Sequence, residues 1–431
     1  MRVPRLLAMT RPAAPAWTIP IWAPNTNYPA SADPWSLTPT KVTHPGAASV
    51  GITPKTGVAA QVINKLINEA YATDGSAKAF ATAVHTWIGL DHIRNWNAAA
   101  QTSILGSAQV RFLNGTYYVC GTDAGAKTSF CRTLDPGAWP TVDEIGATPE
   151  VATLLGNFDV ATDGSIVIPG SGITDGVNVV ECTAGGTWTK RSSVFANALV
   201  SPDCVYEPVS GNWIVAGHKN GTGLVNVSTS TNRTAWTSRT PPAPPADGTL
   251  GPNVTMAKDG LGKVVMQCFP SSTASYNAVN SISFSCSTDG GVTWSAVDTH
   301  TTAFASNTVG TAWPRPVWTG TKWVAIVYNV PDLKTYVYNS TDGATWTQVA
   351  LLTANALKSI ACDGDFLVAV TSTGKLAYSL DLGATWIGAD MGLGTGYERL
   401  FGVNGGFVAS DITNSKLRHS YVRGGAGAAL T

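Results

Sequence analysis

The chain has 431 residues, of which 44 are Gly, and only 13% are charged against about 25% in ordinary soluble domains. Lys plus Arg and Asp plus Glu each total 27, so the formal charge is zero. This balance argues against nucleic-acid binding through phosphates and against a polybasic membrane-surface protein. The 15 Trp in such a Gly-rich, weakly charged chain predict an all-β protein with many turns.

The N-terminal residues do not resemble an export signal. The only apolar stretch there, Leu6 to Met9, is shorter than the roughly 7–15 residues that a secretory signal needs. No window approaches the roughly 18 apolar residues of a membrane span, so we expect no membrane insertion. A chain made in the cytosol, without CxxC spacing, predicts reduced and mostly buried thiols. These cysteines are Cys120, Cys131, Cys182, Cys204, Cys268, Cys286 and Cys362.

Residues 1–55 are predicted to form an extended arm. Their dense prolines disfavour helix and most sheet pairing and leave extended or polyproline geometry. The aromatic rings of the arm either lie on the rest of the chain or insert into another protein. We favour insertion into another protein because spaced aromatic anchors suit docking into a groove. The candidate anchors are Trp17, Trp22, Tyr28 and Trp35.

Residues 56–90 are predicted to form a short helical adaptor. Val62, Ile63, Leu66 and Ile67 fall on one helical face, with polar residues opposite. A second short helix is expected over about 76–87, after the break DGS. The two helices either serve as an adaptor for the arm or pack beneath the following domain.

Residues 91–431 carry a repeated motif. Its clearest copies are STDGGVTW (287–294) and SLDLGATW (379–386), and STDGATW (340–346) is one residue shorter. Weaker copies end at Trp139, Trp188 and Trp236, so the six motif tryptophans are 49, 48, 58, 52 and 40 residues apart. A period of about 40–50 residues predicts β-propeller blades of four short strands each.

The residue types of the motif explain a tight turn between two strands of a blade. The Asp and Ser side chains can accept hydrogen bonds from turn amides, Gly tolerates the positive φ, and Trp can pack between sheets. The motif resembles the Asp-box, or BNR, repeat of sialidase-like β-propellers. The corresponding residues are Ser287, Asp289, Gly291, Trp294, Ser340, Asp342, Gly343, Trp346, Ser379, Asp381, Gly383 and Trp386.

Seven blades are favoured over six. The six motif tryptophans give six blades, and the C-terminal segment 398–422 supplies further strands without a motif. The segment IRNWNAA around Trp96 is placed to provide the missing outer strand, so that both termini close the ring and remove its edges. Short apolar runs before the motifs, such as GNWIVAG, GTKWVAIVY and GDFLVAV, are predicted to be the buried inner strands.

The arm, with its WTIPIWAPNTNYPASADPW run before a short helix, resembles the virion-anchoring ends of bacteriophage tail and fibre proteins. Together with the propeller, this resemblance implies a structural component of a phage particle, located in the virion and present in several copies in a symmetric assembly. The expected partners are other virion proteins, held by the arm, and a glycan of the host surface is the second candidate. A glycan-binding adhesin and a glycoside hydrolase are the alternatives.

The sialidase resemblance implies three arginines that clamp a carboxylate, a Tyr–Glu nucleophile pair and an acid/base Asp. The nearest string here, WPRP at 313–316, lacks the Ile of the early Arg-Ile-Pro motif and falls late in the chain, so we predict no catalytic set. No metal or cofactor motif is present either, and the six histidines are dispersed. The residues considered were Glu181, Glu207, Glu398, Arg111, Arg315 and Arg399 for the pore, and Tyr276, Tyr336 and Tyr397 for glycan contact.

Overall fold

The computed structural model describes a series of segments separated by gaps. They are residues 109–122, 128–134, 157–170, 179–191, 199–219, 225–243, 253–269, 281–301, 314–329, 334–353, 356–363, 366–379, 381–393, 396–403, 406–411 and 416–420, with 41–42, 50–51, 100–101, 139 and 194. The anchor candidates of the arm, the predicted helices of 56–90 and Tyr276 lie outside these residues. No helix that could cross a bilayer occurs within the described segments.

The described residues are all-β. The chain divides into two compact units, residues 1–95 with 421–431, and residues 96–420. In the first unit, β1 (Lys41–Val42) pairs antiparallel with β2 (Val50–Gly51). The second unit is a seven-bladed β-propeller, which confirms the prediction of seven blades; six of its sheets have four described strands and one has three.

The blades follow one another along the chain, and the strands of each are antiparallel neighbours. The first three blades are β4 (Gln109–Leu113), β5 (Thr116–Thr122), β6 (Thr128–Thr133); β7 (Asp159–Val160), β8 (Ile166–Pro169), β9 (Val179–Cys182), β10 (Trp188–Arg191); and β11 (Leu199–Glu207), β12 (Asn212–Lys219), β13 (Val225–Ser230), β14 (Thr237–Arg239). The next two are β15 (Asn253–Lys258), β16 (Val264–Phe269), β17 (Ser281–Ser287), β18 (Asp298–Thr301); and β19 (Val317–Trp318), β20 (Trp323–Asn329), β21 (Lys334–Ser340), β22 (Thr347–Leu352). The sixth is β23 (Leu357–Asp363), β24 (Phe366–Thr371), β25 (Lys375–Ser379), β26 (Ile387–Gly392).

The seventh blade closes the ring with strands from both ends of the propeller. It consists of β27 (Tyr397–Val403), β28 (Gly406–Asp411), β29 (Lys416–His419) and β3 (Ala100–Gln101). Leu417 of β29 pairs with Ala100 of β3, directly after the IRNWNAA segment that the sequence placed there. Each innermost strand contacts the next, and β27 contacts β4, so the ring has no open seam.

The apolar runs predicted as buried inner strands occupy the second position of each blade. GNWIVAG, GTKWVAIVY and GDFLVAV coincide with β12, β20 and β24, whereas the innermost strands are β11, β19 and β23. A second strand is covered on both faces by adjacent blades, so Ile214, Ile326 and Val368 are fully buried. The innermost strands border the central cavity and therefore carry polar side chains as well.

The repeated motif forms the turn between the third and fourth strands. In these Ser–Asp turns (287–294, 340–346 and 379–386), the Ser hydroxyl accepts a hydrogen bond from the amide of the motif glycine. The Ser340 Oγ to Gly343 N distance is 2.8 Å, and Asp342 Oδ1 accepts from the amides of Ala344 and Thr345 at 2.8 Å each. Local side-chain acceptors thus satisfy turn amides that have no strand partner.

The motif glycine and tryptophan hold neighbouring blades together. Gly343 has φ +83°, and a Cβ there would lie 2.8 Å from Val265 Cγ2 on the second strand of the preceding blade. Trp346 is buried and stacks on Phe284 of that blade, with ring centroids 4.1 Å apart. The turn therefore fixes the spacing of adjacent blades as well as its own hairpin.

Candidate functional site

A cavity of about 410 Å³ lies at the centre of the ring, lined by its innermost strands. In the longer innermost strands β11, β15, β23 and β27, the lining residues come from the middle and the C-terminal half of the strand. Lys258, for example, directly precedes the hairpin turn whose Lys263 Nζ donates to the carbonyl oxygen of Asp342, 3.3 Å away. The cavity therefore lies toward the end of the ring that carries the Ser–Asp turns.

The cavity has a charged wall and an apolar wall. Blades one, two, four and five form the charged wall, with Arg111 from β4, Asp159 from β7, Lys258 from β15 and Arg315 just before β19. Blades six and seven contribute the apolar wall. The residues of this second wall are Ile360, Ala361, Cys362, Leu400, Phe401 and Gly402.

Two buried aspartates connect the innermost strands to one another. Asp159 Oδ2 accepts from the amide of Tyr206 on β11 at 2.8 Å. Asp203 Oδ2 accepts from the amide of Met256 on β15 at 2.7 Å. An innermost strand is the edge of its own sheet, so its outward amides need such partners when they are buried. These carboxylates thus link blade two to blade three and blade three to blade four.

Arg315 neutralises the fully buried Asp203. Its Nη2 bonds Asp203 Oδ1, its Nε lies 3.1 Å from Oδ2, and Nη2 also donates to the carbonyl oxygen of Cys204 at 3.0 Å. The Cys204 amide donates to Asp203 Oδ1 at 2.7 Å. A bidentate guanidinium makes strong, charge-assisted hydrogen bonds with a buried carboxylate, and it fixes both side chains.

Lys258 pairs with the second aspartate. Its Nζ lies 2.7 Å from Asp159 Oδ2 and 2.8 Å from the carbonyl oxygen of Tyr206. The ammonium group also lies 5.8 Å from the centroid of the Tyr206 ring. Lys258 therefore joins blade four to blades two and three while its side chain stays 30% exposed.

Asp159, Asp203, Arg111, Lys258 and Arg315 form the central cluster. Arg111 is the cation of this cluster with the least satisfied hydrogen-bond donors. Its Nε is 3.5 Å from Asp159 Oδ1, and its Nη1 donates to the carbonyl oxygen of Val110 at 2.9 Å. The guanidinium carbon lies 5.4 Å from the Phe158 ring centroid. Nη2 is buried and, within the described part of the chain, has no hydrogen-bond partner.

Burial dominates the electrostatics of the cluster. It lowers the pKa of Arg111 to about 10, and the charge of Arg315 acts in the same direction. Burial raises the pKa of Asp203 against the attraction of Arg315. At Asp159 burial also acts to raise the pKa, but Lys258 and Arg111 outweigh it and the net shift is downward. Burial and the neighbouring carboxylates raise the pKa of Cys204 well above 9.0, so this thiol is a poor nucleophile.

Only some of the pore residues considered in the sequence analysis line the cavity. Arg111 and Arg315 line the same cavity, whereas Arg399 is absent from its described lining. Glu181 is buried at the outer part of blade two, where Arg191 Nε donates to it at 2.9 Å. Glu207 accepts from the amides of Val209 and Ser210 at 2.9 and 2.6 Å and so stabilises a hairpin turn. The Glu398 side chain lies outside the described residues.

Two of the three tyrosines considered for glycan contact are unsuitable. Tyr336 and Tyr397 are buried, with exposed fractions of 6% and 4%. Tyr336 belongs to the apolar cluster between blades four and five, and Tyr397 lies beneath Arg418. The prediction that these rings are exposed contacts was therefore wrong, because both side chains are packed within the propeller.

Asp159, Asp203 and Lys258 escaped the sequence analysis. None belongs to the repeated motif, and their partners are 47, 53 and 99 residues away along the chain. The only available signal was the unusual presence of a charge in strands that otherwise read as apolar. Among the described residues, no group of three or more His, Cys, Asp or Glu side chains is arranged to hold a metal ion.

Known proteins resemble this chain in fold but not in sequence. No family model and no curated protein sequence matches it. The structure of YCF48 bound to D1 peptide is 12% identical, with a TM-score of 0.51 over 76% of this chain and 95% of that one. An ulvan lyase from a new family of polysaccharide lyases is 9% identical, with a TM-score of 0.50 over 77% of this chain and 95% of that one. At these identities the likeness establishes the β-propeller fold alone.

Proposed function

We propose that this chain is a non-enzymatic structural component of a phage particle, tail- or fibre-associated, that binds a partner through its propeller. The observation that carries the binding role is the rigid central cavity, where three cations are held by buried carboxylates on a closed ring. Rigid elements hold recognition groups more accurately than loops do. The peptide bound to YCF48 supports the use of such a propeller for binding.

The carboxylates of Asp159, Asp203 and Asp259, in or next to the cavity, all accept hydrogen bonds from backbone amides, which favours binding over hydrolysis. A general acid or base needs a proton-transfer position that faces the substrate. Asp203 has no exposed side-chain surface, and Asp159 keeps 7%. Their oxygens already accept hydrogen bonds from backbone amides and cations. We therefore expect neither reducing ends nor unsaturated products when the protein is incubated with acidic polysaccharides, and release of either product would contradict the non-enzymatic assignment.

The virion assignment rests on residues 1–55, whose spaced aromatic anchors suit a groove on another protein. The test is co-sedimentation with particles that lack the native copy, using the full chain and a chain without residues 1–55. This truncation keeps β3, so the ring can still close, and thermal unfolding checks that it does. We expect only the full chain to pellet.

Equal pelleting of both proteins would mean that the particle is bound by residues outside the arm of residues 1–55. Failure of both to pellet would contradict the virion assignment. A variant with Trp17, Trp22, Tyr28 and Trp35 replaced by Ser provides the matched control, because it keeps the length of the arm and loses its anchors. The mass of the assembled protein in solution tests the expected symmetric multimer.

A glycan-binding adhesin is the second candidate, and it is compatible with a displayed propeller. The cavity favours it, because its volume of about 410 Å³ lies within the roughly 300–1,000 Å³ of small-molecule sites. Phe112, Trp318 and Phe401 line the same cavity and are only partly buried. An array of bacterial surface glycans without a single bound member would count against the adhesin.

A further inference from the structure

Resting on the several copies expected in the proposed function, we infer that the outer edge of blade five joins two copies of this chain. β22 of one copy pairs antiparallel with β22 of the other across a two-fold axis. Three features of β22 support this contact: its position at the edge of a sheet, its lack of charge, and an exposed apolar side chain.

β22 (Thr347–Leu352) is the edge strand of blade five, whose strand order is β19-β20-β21-β22. Among the described residues, no strand pairs with the side of β22 that faces away from β21. Such an edge is a template for another strand, because its outward N–H and C=O groups lack ladder partners. With six residues each, β22 and β26 are the longest of the described fourth strands.

β22 is the only described fourth strand longer than two residues that contains no charged residue. Proteins commonly protect an exposed edge with charges, and the other fourth strands follow this rule. Their charged residues are Lys190 and Arg191 in β10, Arg239 in β14, Asp298 in β18 and Asp390 in β26.

The lack of charge favours a second copy as the partner of β22. No charged residue occurs anywhere from Gly343 to Leu357. A two-fold axis brings identical segments together, so a charged edge repels its own copy. The edge of β22 carries no such repulsion, and a neutral strand matches it better than a charged segment of another protein does.

The exposed face of β22 contains Gln348 and Leu351. Gln348 pairs with Tyr338 and Leu351 with Tyr336, and the register skips Val349 between them. The two tyrosines are two residues apart on β21, so the residues opposite them share one face. Both Gln348 and Leu351 are exposed, and Leu351 keeps 45% of its surface. The bulge bends the strand but adds no charge, and a second copy on the edge would cover this leucine.

A contact built on one strand of each copy is small. It falls below the roughly 1,200 Å² that stable interfaces bury, so the dimer should be weak and depend on concentration. A particle that holds several copies side by side raises their effective concentration and strengthens the same contact.

The experiment measures the mass of the full-length protein by sedimentation equilibrium, at concentrations from about 1 to about 100 µM. The double variant Gln348→Lys/Leu351→Lys adds two positive charges to the exposed face, and Gln348→Glu/Leu351→Glu adds two negative charges. Val209→Lys/Leu261→Lys is the matched control, because it adds the same charges to exposed apolar residues of two hairpin turns. Thermal unfolding verifies that each variant is folded.

We expect the mass of the wild type and of the control to rise from 44.8 kDa toward twice that value as the concentration increases. The Lys double variant and the Glu double variant should each show a dissociation constant at least about tenfold higher. An equimolar mixture of these two variants should recover the dimer, because opposite charges then face each other along the paired strands.

Three results would overturn the inference. A wild-type mass that stays at 44.8 kDa throughout excludes self-association over this range. Lys and Glu double variants that associate as the wild type does place the contact outside β22. A mixture of the two that stays monomeric excludes the pairing of two β22 strands.

The failure of this inference is distinguishable from the failure of the proposed function. A full chain that pellets with particles but stays monomeric in solution overturns the pairing through β22 alone. A full chain that dimerises through β22 but does not pellet overturns the virion role and leaves the self-association surface standing.

Discussion

The Ser–Asp turns and the central cluster use the same side chain in opposite ways. In the turns, Asp342 is exposed and accepts hydrogen bonds from amides two and three residues ahead. In the centre, Asp203 is fully buried and accepts from the amide of Met256, 53 residues ahead on the next blade. The first arrangement is local and recurs along the sequence. The second joins two blades and occurs where the chain departs from its repeat.

This difference in exposure explains why the Asp203 carboxylate is paired with a cation and the Asp342 carboxylate needs none. Water solvates an exposed carboxylate, so Asp342 needs no charged partner. A carboxylate without solvent exposure must be paired, and Arg315 pairs with Asp203 across 112 residues of sequence. The repeat therefore builds the scaffold, and the departures from the repeat build the site.

The largest expected effect comes from Asp203→Ala. It leaves the Arg315 guanidinium and the Met256 amide without their acceptor, and breaking a buried ion pair costs about 3–5 kcal/mol. Denaturant unfolding should show a loss of this size in the free energy of unfolding. A loss below about 1 kcal/mol would mean that the cluster does not hold the innermost strands together.

Gly343→Ala should be the next most damaging change. Its Cβ meets Val265 Cγ2 at 2.8 Å and its φ is +83°, so strain and overpacking together cost about 2–4 kcal/mol. Gly320→Ala is the matched control, since Gly320 has φ +95° and open space around it. The control should lose only about 1–2 kcal/mol. Equal losses in the two variants would argue against the turn as an inter-blade contact.

Asp342→Ala should cost about 1 kcal/mol, comparable to the loss of a helix-capping side chain. The amides of Ala344 and Thr345 and the Ser340 hydroxyl lose their acceptor, but the freed amides can be solvated because the turn is exposed. Comparison with Asp203→Ala under the same denaturant conditions measures the contrast directly. A larger loss in the free energy of unfolding for Asp342→Ala than for Asp203→Ala would contradict the contrast between turn and central cluster.

The smallest effect is a pH dependence carried by the turns. Burial acts to raise the pKa of Asp342, but hydrogen bonds from Thr345 and Ala344 outweigh it, and the net pKa is lowered from 3.8. A folded-state pKa below the unfolded value adds stability above pH 3.8 that is lost as the pH falls through the folded value. The stability difference between wild type and Asp342→Asn should therefore shrink below about pH 4. A difference that stays constant down to pH 2 would contradict this linkage.

Much of the fold could be predicted from the sequence because its determinants are local and repeated. The motif spacing indicated blades, and the closing outer strand, Ala100–Gln101, lies directly after the IRNWNAA segment around which it was predicted. Strand order within a blade was harder, because a fully buried run reads the same at the first and second positions. The burial of GNWIVAG did not show its position, and the structure places it as the second strand of its blade.

The site was predictable only in part. Arg111 and Arg315 were considered because arginines suit anion sites, whereas Asp159, Asp203 and Lys258 were overlooked. Their roles depend on which blades are neighbours in space, and no local pattern encodes that information. Glu181 and Glu207 failed as pore candidates for a different reason: Glu181 pairs with Arg191 within blade two, and Glu207 accepts from the amides of its own hairpin turn.

The most direct test compares one variant from each region on the same array of bacterial surface glycans, with the free energy of unfolding measured in parallel. Arg111→Gln alters the cavity, and Asp342→Ala alters a Ser–Asp turn. If the cavity binds the glycan and the Ser–Asp turns only stabilise the fold, Arg111→Gln loses glycan affinity at least about tenfold. Asp342→Ala then binds normally despite its lower stability. Wild-type binding by Arg111→Gln, or loss of binding confined to Asp342→Ala, would contradict the account.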